Sequence, residues 1–124
     1  GRLSAVGVTA LLAAVLLSVG CASTPPAAST AQIAVTTAAV NSAAGAGAAE
    51  MAAPELAMAR EKLASANVAM TARDFGRALT LAEESHVDAL LAESKAKAAK
   101  AQRAADELRE GRRVLRDEMD RKNK

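Results

Sequence analysis

Phe75 is the single aromatic residue of this chain, which has no Trp and no Tyr. The abundant apolar residue is alanine, which is the best helix former but buries little surface. A chain of this composition has too few large side chains for a thick globular core. We therefore predict an all-α fold of long helices whose backbones approach closely, and we expect its stability to depend on partners.

The charge balance argues against a nucleic-acid-binding protein. The formal net charge is +2, from 16 Lys and Arg against 14 Asp and Glu. Such a balance gives little attraction for a polyanion, and the missing aromatic residues leave no platforms on which bases could stack. We expect no nucleic acid among the partners.

The N-terminal segment has the anatomy of a secretory signal. A basic start, Gly1-Arg2, precedes an uncharged and mostly apolar run from Leu3 to Leu17. A membrane-spanning helix would need roughly 20 apolar residues with polar anchors on both flanks, and here a stretch rich in Ser, Thr and Pro follows instead. We therefore predict a signal peptide over residues 1–20 rather than a transmembrane helix.

The only cysteine, Cys21, closes this segment in the run Leu-Ser-Val-Gly-Cys. The run resembles the lipobox of bacterial lipoproteins, although Ser18 stands where leucine is usual. We predict cleavage between Gly20 and Cys21 and acylation of Cys21. At about 0.8 kcal/mol per buried methylene, several acyl chains anchor a protein permanently. Because Ala22 follows the cysteine, we expect a lipid anchor at the periplasmic face of the outer membrane.

Two regions follow the signal peptide. Residues 21–28 form a lipidated tether that the Pro25-Pro26 pair makes stiff and extended. Residues 29–124 form one helical domain, since about 100 residues suffice for a single small domain with little core.

The first helix is predicted to begin at Ser29, which with Gln32 has the spacing of a capping box. An apolar face follows at four-three-four spacing, and Gly45 and Gly47 end the helix. That face consists of Ile33, Thr37, Val40 and Ala44.

The second helix starts near Pro54, whose missing N–H costs nothing in a first helical turn. One apolar stripe runs along it, made of Leu56, Ala59, Leu63, Ala66 and Met70. Asp74 is a credible N-cap for a third helix starting at Phe75. A tight turn there predicts an antiparallel helical hairpin, in which Leu56, Leu63 and Met70 pack against Phe75, Leu79 and Ala82.

The third helix is predicted to run from Phe75 to roughly Met119, about 65–70 Å. Its C-terminal half therefore extends beyond the second helix and needs another packing partner. It carries two seams at heptad spacing. The first seam is Ala78, Ala82, Ser85, Ala89 and Ala92. The second seam is Val87, Leu91, Ser94, Ala98, Ala101, Ala105, Leu108, Leu115 and Met119, with Arg112 interrupting it. Gly111 marks either a hinge or a close helix contact.

The run from Pro54 to Met119 resembles the domain-of-unknown-function family 4398 of Gram-negative envelope lipoproteins. The resemblance rests on the Pro-Glu-Leu start, on Ala59-Arg-Glu-Lys-Leu63, and on Asp74-Phe75 followed by Leu81-Ala-Glu-Glu84. It implies an envelope location, a helical shape and a partner such as an outer-membrane protein with an OmpA-like, peptidoglycan-binding domain. Ala72-Arg73 stands where glycine commonly precedes the Asp, which predicts a less tight turn.

Catalysis and metal binding find little support in the sequence. The lone histidine, His86, follows Glu83 by three residues, which resembles half of a di-iron helix pair. No second Glu-x-x-His exists, so we expect a solvated or partner-facing histidine, no enzyme activity, no metal and no cofactor. A single tetratricopeptide-like hairpin also lacks the further copies that a repeat array needs.

The C-terminal segment is basic and ends in lysine. Murein lipoproteins also pair an acylated cysteine with a long helix and a terminal lysine that is joined to peptidoglycan. The similarity here is confined to a few residues, so Lys124 as a covalent wall attachment is the alternative to a scaffold. Contact with wall polymers or phospholipid headgroups through Arg121, Lys122 and Lys124 lies between the two. A frayed basic end stabilised by the helix dipole remains the simplest interpretation.

The sequence therefore predicts a lipid-anchored helical scaffold or adaptor in the cell envelope. We expect its partner interface on the second seam, and we expect either a partner helix or a second copy of the chain there. The interface residues are Leu91, Leu108, Leu115 and Met119.

Overall fold

The computed structural model describes residues 23–124, and Gly20 and Cys21 lie outside this range. The described residues form four helices, with no strand among them. These are α1 (Pro26–Gly45), α2 (Ala48–Met51), α3 (Ala53–Thr71) and α4 (Phe75–Lys122). The predicted hairpin with a long C-terminal helix is therefore confirmed.

The three long helices form an up-down-up bundle. Ser29 Oγ donates to Phe75 O at 2.7 Å and Thr36 Oγ1 donates to Ala82 O at 2.8 Å, so α1 runs parallel to α4. Ser85 Oγ donates to Ala59 O at 2.6 Å, and Lys95 pairs with Glu55, so α3 runs antiparallel to α4.

The core is a close helix contact lined by small residues. The first seam is fully buried as predicted, and Ala96 extends it by one more position. Leu56 is the largest fully buried side chain, and it packs with Ala89, Ala92 and Ala96 rather than near Phe75. In an antiparallel hairpin, residues equally far from the turn face each other. Leu56 therefore meets residues well beyond Ala82.

The start and the buried face of α1 differ from the prediction. The helix begins at Pro26, inside the predicted tether, because proline suits a first helical turn. Ser29 is therefore not a cap, and its hydroxyl bonds to α4 instead. The face that α1 buries is Ser29, Thr36, Val40 and Ala43. Small hydroxyl side chains replace the predicted Ile33 at the contact because the helix backbones lie too close for it.

A short connection joins α1 to α3, with α2 inside it. Gly47 adopts φ 94°, a left-handed conformation that glycine accepts without strain. The glycines end α1 as predicted, whereas α2 was not predicted. Lys100 of α4 lies against Gly47, with its side-chain Cε 3.0 Å from where a Cβ would stand. This connection therefore marks the end of the bundle along α4.

The turn between α3 and α4 is closed rather than loose. Asp74 N donates to Ala69 O and Arg73 N donates to Met70 O, which is the Schellman arrangement at a helix C-terminus. Arg73 occupies its left-handed position with φ 59°. Asp74 then caps α4 as predicted, since its Oδ1 accepts from Arg77 N at 3.2 Å.

Candidate docking surface on α4

The distal part of α4 extends beyond the rest of the molecule. We call residues 101–122 the α4 extension. All of its side chains are exposed except those of Ala105 and Glu118, which are half-buried. At 1.5 Å per residue the extension is about 33 Å long within a helix of about 72 Å. An isolated helix surface of this length offers a place to bind rather than a site for chemistry.

The second seam runs along the outside of α4 and continues into the extension. Four interactions of neighbouring residues show which way the second seam faces. His86 and Glu93 face α1, where they contact Gln32 and Ser42. Asp88 and Lys95 face α3, where they pair with Lys62 and Glu55. The seam positions between these residues point away from both helices. The predicted interface residues are accordingly exposed: Leu91 47%, Leu108 57%, Leu115 65% and Met119 64%.

Most acidic side chains of the extension are already paired with arginines of the extension. Asp106 Oδ1 accepts from Arg109 at 2.9 Å, and Glu118 pairs with Arg121. Two further carboxylates bracket one guanidinium: Arg113 contacts Glu110 at 2.5 Å and Asp117 at 3.1 Å. The hydrogen bond from Arg113 lowers the pKa of Glu110, and the same bond raises the pKa of Arg113.

Arg112 and Arg116 differ from these arginines. Neither forms an ion pair with any of the described residues. The helical neighbours of Arg112 at three and four positions are two leucines and two arginines. Those neighbours are Leu108, Arg109, Leu115 and Arg116. The interruption seen in the sequence is thus a positive charge set between the two most distal leucines of the second seam.

Gly111 has no atom near it that a side chain would strike. A Cβ at this position would find nothing within 4 Å, and α4 continues through it without interruption. Neither interpretation of Gly111 finds support within the described residues, since no helix of this chain contacts it and α4 shows no break there; a close contact with a helix of another molecule stays a prediction.

The basic tip lies at the far end of α4. Arg121 and Lys122 occupy its last turn, where positive charge complements the negative end of the helix dipole. Arg121, Lys122 and Lys124 are all exposed, and Arg121 is paired with Glu118. The structure therefore leaves these predicted wall-contact residues accessible.

The opposite end of the molecule holds the first described residues. Thr24 Oγ1 lies 3.6 Å from the position that a Cβ would take on Gly76, in the first turn of α4. The predicted anchor, Cys21, lies outside the described residues. Because Thr24 is only three residues from it, the chain leads toward Cys21 from the end of α4 opposite to the basic tip.

His86 lies between α1 and α4 rather than in a metal site. Its Nδ1 lies 3.3 Å from Nε2 of Gln32, which can donate to it. Glu83 is exposed and forms no ion pair among the described residues. No group of three or more metal-binding side chains occurs in the part of the chain that the structure describes. Gln32, predicted as a capping residue, is therefore an interhelical contact.

A shallow groove between α3 and α4 was not foreseen from the sequence. Its volume is about 440 Å³, and its floor is mostly small apolar side chains next to the α3–α4 turn. Glu61, Asp74 and Arg77 lie around it. Helix periodicity alone gave no signal for it, because periodicity gives the buried face of each helix and not the shape left between two helices. Among residues 23–124, no helix is long and apolar enough to span a bilayer.

Comparison with known proteins identifies the region that this chain shares with others. The family model for the domain of unknown function DUF4398 matches residues 31–108. This range includes most of α1, all of α2 and α3, and α4 as far as Leu108. No match was found among curated proteins, and none among solved structures.

Proposed function

The chain belongs to the DUF4398 family, and we propose that it is a non-enzymatic lipoprotein that acts as a helical scaffold or adaptor in the cell envelope. Cys21 carries the lipid anchor at the periplasmic face of the outer membrane. The three-helix bundle stands next to the membrane, and α4 carries the second seam into the periplasm.

One observation carries this proposal: the two ends of α4 have different surroundings. Its first turn lies beside Thr24, close to the anchor, whereas its last 22 residues have no other helix against them. A protein that only needed a stable bundle could end α4 near Lys100, at the level where α1 ends and α3 begins. The extension instead presents apolar side chains to water, which favours a surface kept for a partner.

The position of the basic tip separates two of the contacts considered from the sequence. With Cys21 anchored in the outer membrane and α4 pointing away from it into the periplasm, Arg121 and Lys122 lie up to about 70 Å from the headgroups of that membrane. Electrostatic attraction to those headgroups falls off within about 10 Å at ordinary salt. This distance favours the cell wall or a protein partner over those headgroups as the contact of the tip.

The partner class follows from the family resemblance and from this reach. An outer-membrane protein with an OmpA-like, peptidoglycan-binding domain is the first candidate, because it would be present in the same compartment. The second seam residues Leu91, Leu108, Leu115 and Met119 would provide the contact.

The anchor is tested by labelling growing cells with radioactive palmitate. The wild-type chain should incorporate label and fractionate with the outer membrane. The Cys21→Ala variant should accumulate as an unlabelled precursor, with Ser23→Ala, which lies outside the Leu-Ser-Val-Gly-Cys run, as the control that keeps labelling. Label in Cys21→Ala at the wild-type level would overturn the lipoprotein assignment.

The scaffold role is tested by photo-crosslinking in living cells from a probe at Leu108. A matched probe at Val114, which is similarly exposed but lies off the second seam, serves as the control. A discrete protein adduct from Leu108 and not from Val114 would support an adaptor. A ladder that muramidase collapses would instead favour the alternative, a murein-lipoprotein-like tether joined to peptidoglycan through Lys124.

A further inference from the structure

The second seam of the α4 extension combines apolar residues with an unneutralised charge. Leu108, Leu115 and Met119 are more than half exposed, and Arg112 stands between the first two. From Ala101 to Met119 the seam is about 27 Å long and lies wholly beyond the bundle. Both features need a partner, because exposed leucines are poorly solvated and clustered arginines repel one another.

The repulsion has a definite origin in the helix spacing. Arg112 lies three residues after Arg109 and four before Arg116, so three guanidinium groups share one face. Like charges at these spacings destabilise a helix by a few tenths of a kcal/mol per pair. Among residues 23–124, Asp106 is the one carboxylate paired with any of the three, through Arg109. Arg113 also lies four residues after Arg109 and three before Arg116, but it is paired with Glu110 and Asp117, and Arg121 is paired with Glu118.

A second copy of this chain is a poor occupant of the seam. In two copies anchored in one membrane, both α4 helices would point away from that membrane into the periplasm, so their extensions could meet only in parallel. A parallel pair in register places Arg112 of each copy against Arg112 of the other, at the centre of the contact. A buried like-charge pair of this kind disfavours self-association.

A simple polyanion is also a poor occupant. A polysaccharide or phosphate polymer would neutralise Arg112 and Arg116 but would leave the leucines exposed. The spacing of Leu108, Leu115 and Met119 is that of knobs that fit between the side chains of a second helix. The occupant must therefore be helical, apolar on one face and acidic beside it.

We propose that the second seam of the α4 extension binds an acidic amphipathic helix of another protein, about three heptads long, with one carboxylate set against Arg112. Leucine-like side chains of the partner pack between Leu108 and Leu115, and its flanking acids face Arg109 and Arg116. Ala101 and Ala105 let the two backbones approach closely at the bundle end. The proposal rests on the proposed function and specifies the chemistry of the scaffold's partner.

The test uses a designed helical peptide as the probe and the full mature chain in detergent micelles as its target. The peptide has leucine at its seam positions, glutamate on both flanks and one glutamate at the layer that meets Arg112. Its affinity is measured by fluorescence anisotropy. We expect saturable binding that weakens as salt concentration rises.

Matched variants locate the binding surface. The double variant Leu108→Asp, Leu115→Asp should bind at least about 100-fold more weakly, because two buried leucines are lost. The single variant Leu115→Asp should also weaken binding clearly. Val114→Asp adds the same single charge at a similarly exposed site off the seam, and should bind within about twofold of wild type. Equal losses in Leu115→Asp and Val114→Asp, or no binding by the wild type, would overturn the proposal.

A charge exchange tests the role of Arg112 directly. Arg112→Glu should weaken binding of the glutamate peptide and should favour a second peptide with lysine at that layer. Polyglutamate is the non-helical control, and binding as tight as that of the peptide would assign the surface to an anionic polymer. Dimerisation of the wild type at micromolar concentration in sedimentation equilibrium would assign it to a second copy.

This inference and the proposed function can fail separately. The peptide could fail to bind although Cys21 is acylated and Leu108 cross-links to a protein in cells. That result would overturn only the proposal of an acidic helix as the partner. Peptide binding that succeeds without acylation of Cys21 would remove the envelope anchor and leave the docking surface in place.

Discussion

Ser85 of α4 donates a hydrogen bond to the carbonyl oxygen of Ala59 in α3, with 2.6 Å between the two oxygens. Ser85 is completely buried. Two matching bonds join α1 to α4, from Ser29 and from Thr36. Hydroxyl groups of α1 thus bond to the backbone of α4, and a hydroxyl group of α4 bonds to the backbone of α3. These contacts are otherwise lined mostly by alanine.

Removing the Ser85 hydroxyl should weaken the bundle. Ser85→Ala is expected to lower the free energy of unfolding by about 0.5–1.5 kcal/mol, measured by urea denaturation with circular dichroism. Thr80→Ala is the control, because the Thr80 hydroxyl is exposed and bonds only to Gly76 O within its own helix. An equal loss of unfolding free energy in Thr80→Ala would show that the interhelical hydrogen bond of Ser85 does not stabilise the bundle.

Enlarging a residue of the first seam should cost more than enlarging one of the second. Ala89 is fully buried, so Ala89→Leu forces α3 or α1 away from α4 and should cost about 1–3 kcal/mol or more. Ala98 is exposed on the other side of the same helix, and Ala98→Leu should change stability by less than about 0.5 kcal/mol. Thermal denaturation of the two variants measures the difference. Similar melting temperatures would contradict the buried contact.

The turn before α4 should favour glycine at residue 73. Arg73 has φ 59°, and its guanidinium lies 5.8 Å from the centre of the Phe75 ring. Arg73→Gly and Arg73→Ala both remove that ring contact, but only glycine accepts the left-handed conformation without strain. We expect the glycine variant to be more stable than the alanine variant by about 1 kcal/mol. The reverse order in urea denaturation would show that residue 73 is not left-handed.

Acid should destabilise the bundle through two glutamates of the helix contacts. Hydrogen bonds from Lys95 to Glu55, and from Lys97 and Ser42 to Glu93, hold both pKa values below the ordinary 4.5. Their stabilisation is therefore complete above about pH 4.5 and is lost as the pH falls toward the lowered values.

We expect the melting temperature to fall on acidification through this range. Glu55→Gln should reduce the slope of melting temperature against pH, because one of the two glutamates is removed. Glu107→Gln, on the exposed extension, should leave that slope unchanged. An identical slope in wild type and Glu55→Gln would contradict the assignment.

Signals that act within a few residues predicted the structure well. Asp74 caps α4 and Pro54 lies in the first turn of α3, because each effect depends only on the residues beside it. The first seam was also correct, since heptad spacing on a long helix fixes one face whatever packs against it. Its five positions, from Ala78 to Ala92 at heptad spacing, are fully buried.

Signals that depend on distant contacts were less reliable. The Ser29 and Gln32 side chains have capping-box spacing, yet both bind α4, because tertiary partners compete with the local bond. The partner of Leu56 was also misplaced. Sequence spacing gives the face of each helix but not the register between two helices, which the length of the turn decides.

The candidate docking surface combined both kinds of signal. The second seam was visible as a spacing, and Arg112 was visible as its interruption. The sequence also shows that no acid lies three or four residues from Arg112. That Glu110 and Asp117 are both paired with Arg113 required the positions of the side chains.

Continuity of α4 from the turn at Asp74 to Lys122 has a mechanical consequence. One unbroken backbone passes through the bundle and out to the tip, so the extension and the bundle tilt together. If the bundle rocked on its tether by 10°, a rod of about 72 Å would sweep its tip through about 12 Å. Small movements at the Asp74 end of α4 would thus be magnified at the basic tip, and any partner bound there would receive displacement as well as contact.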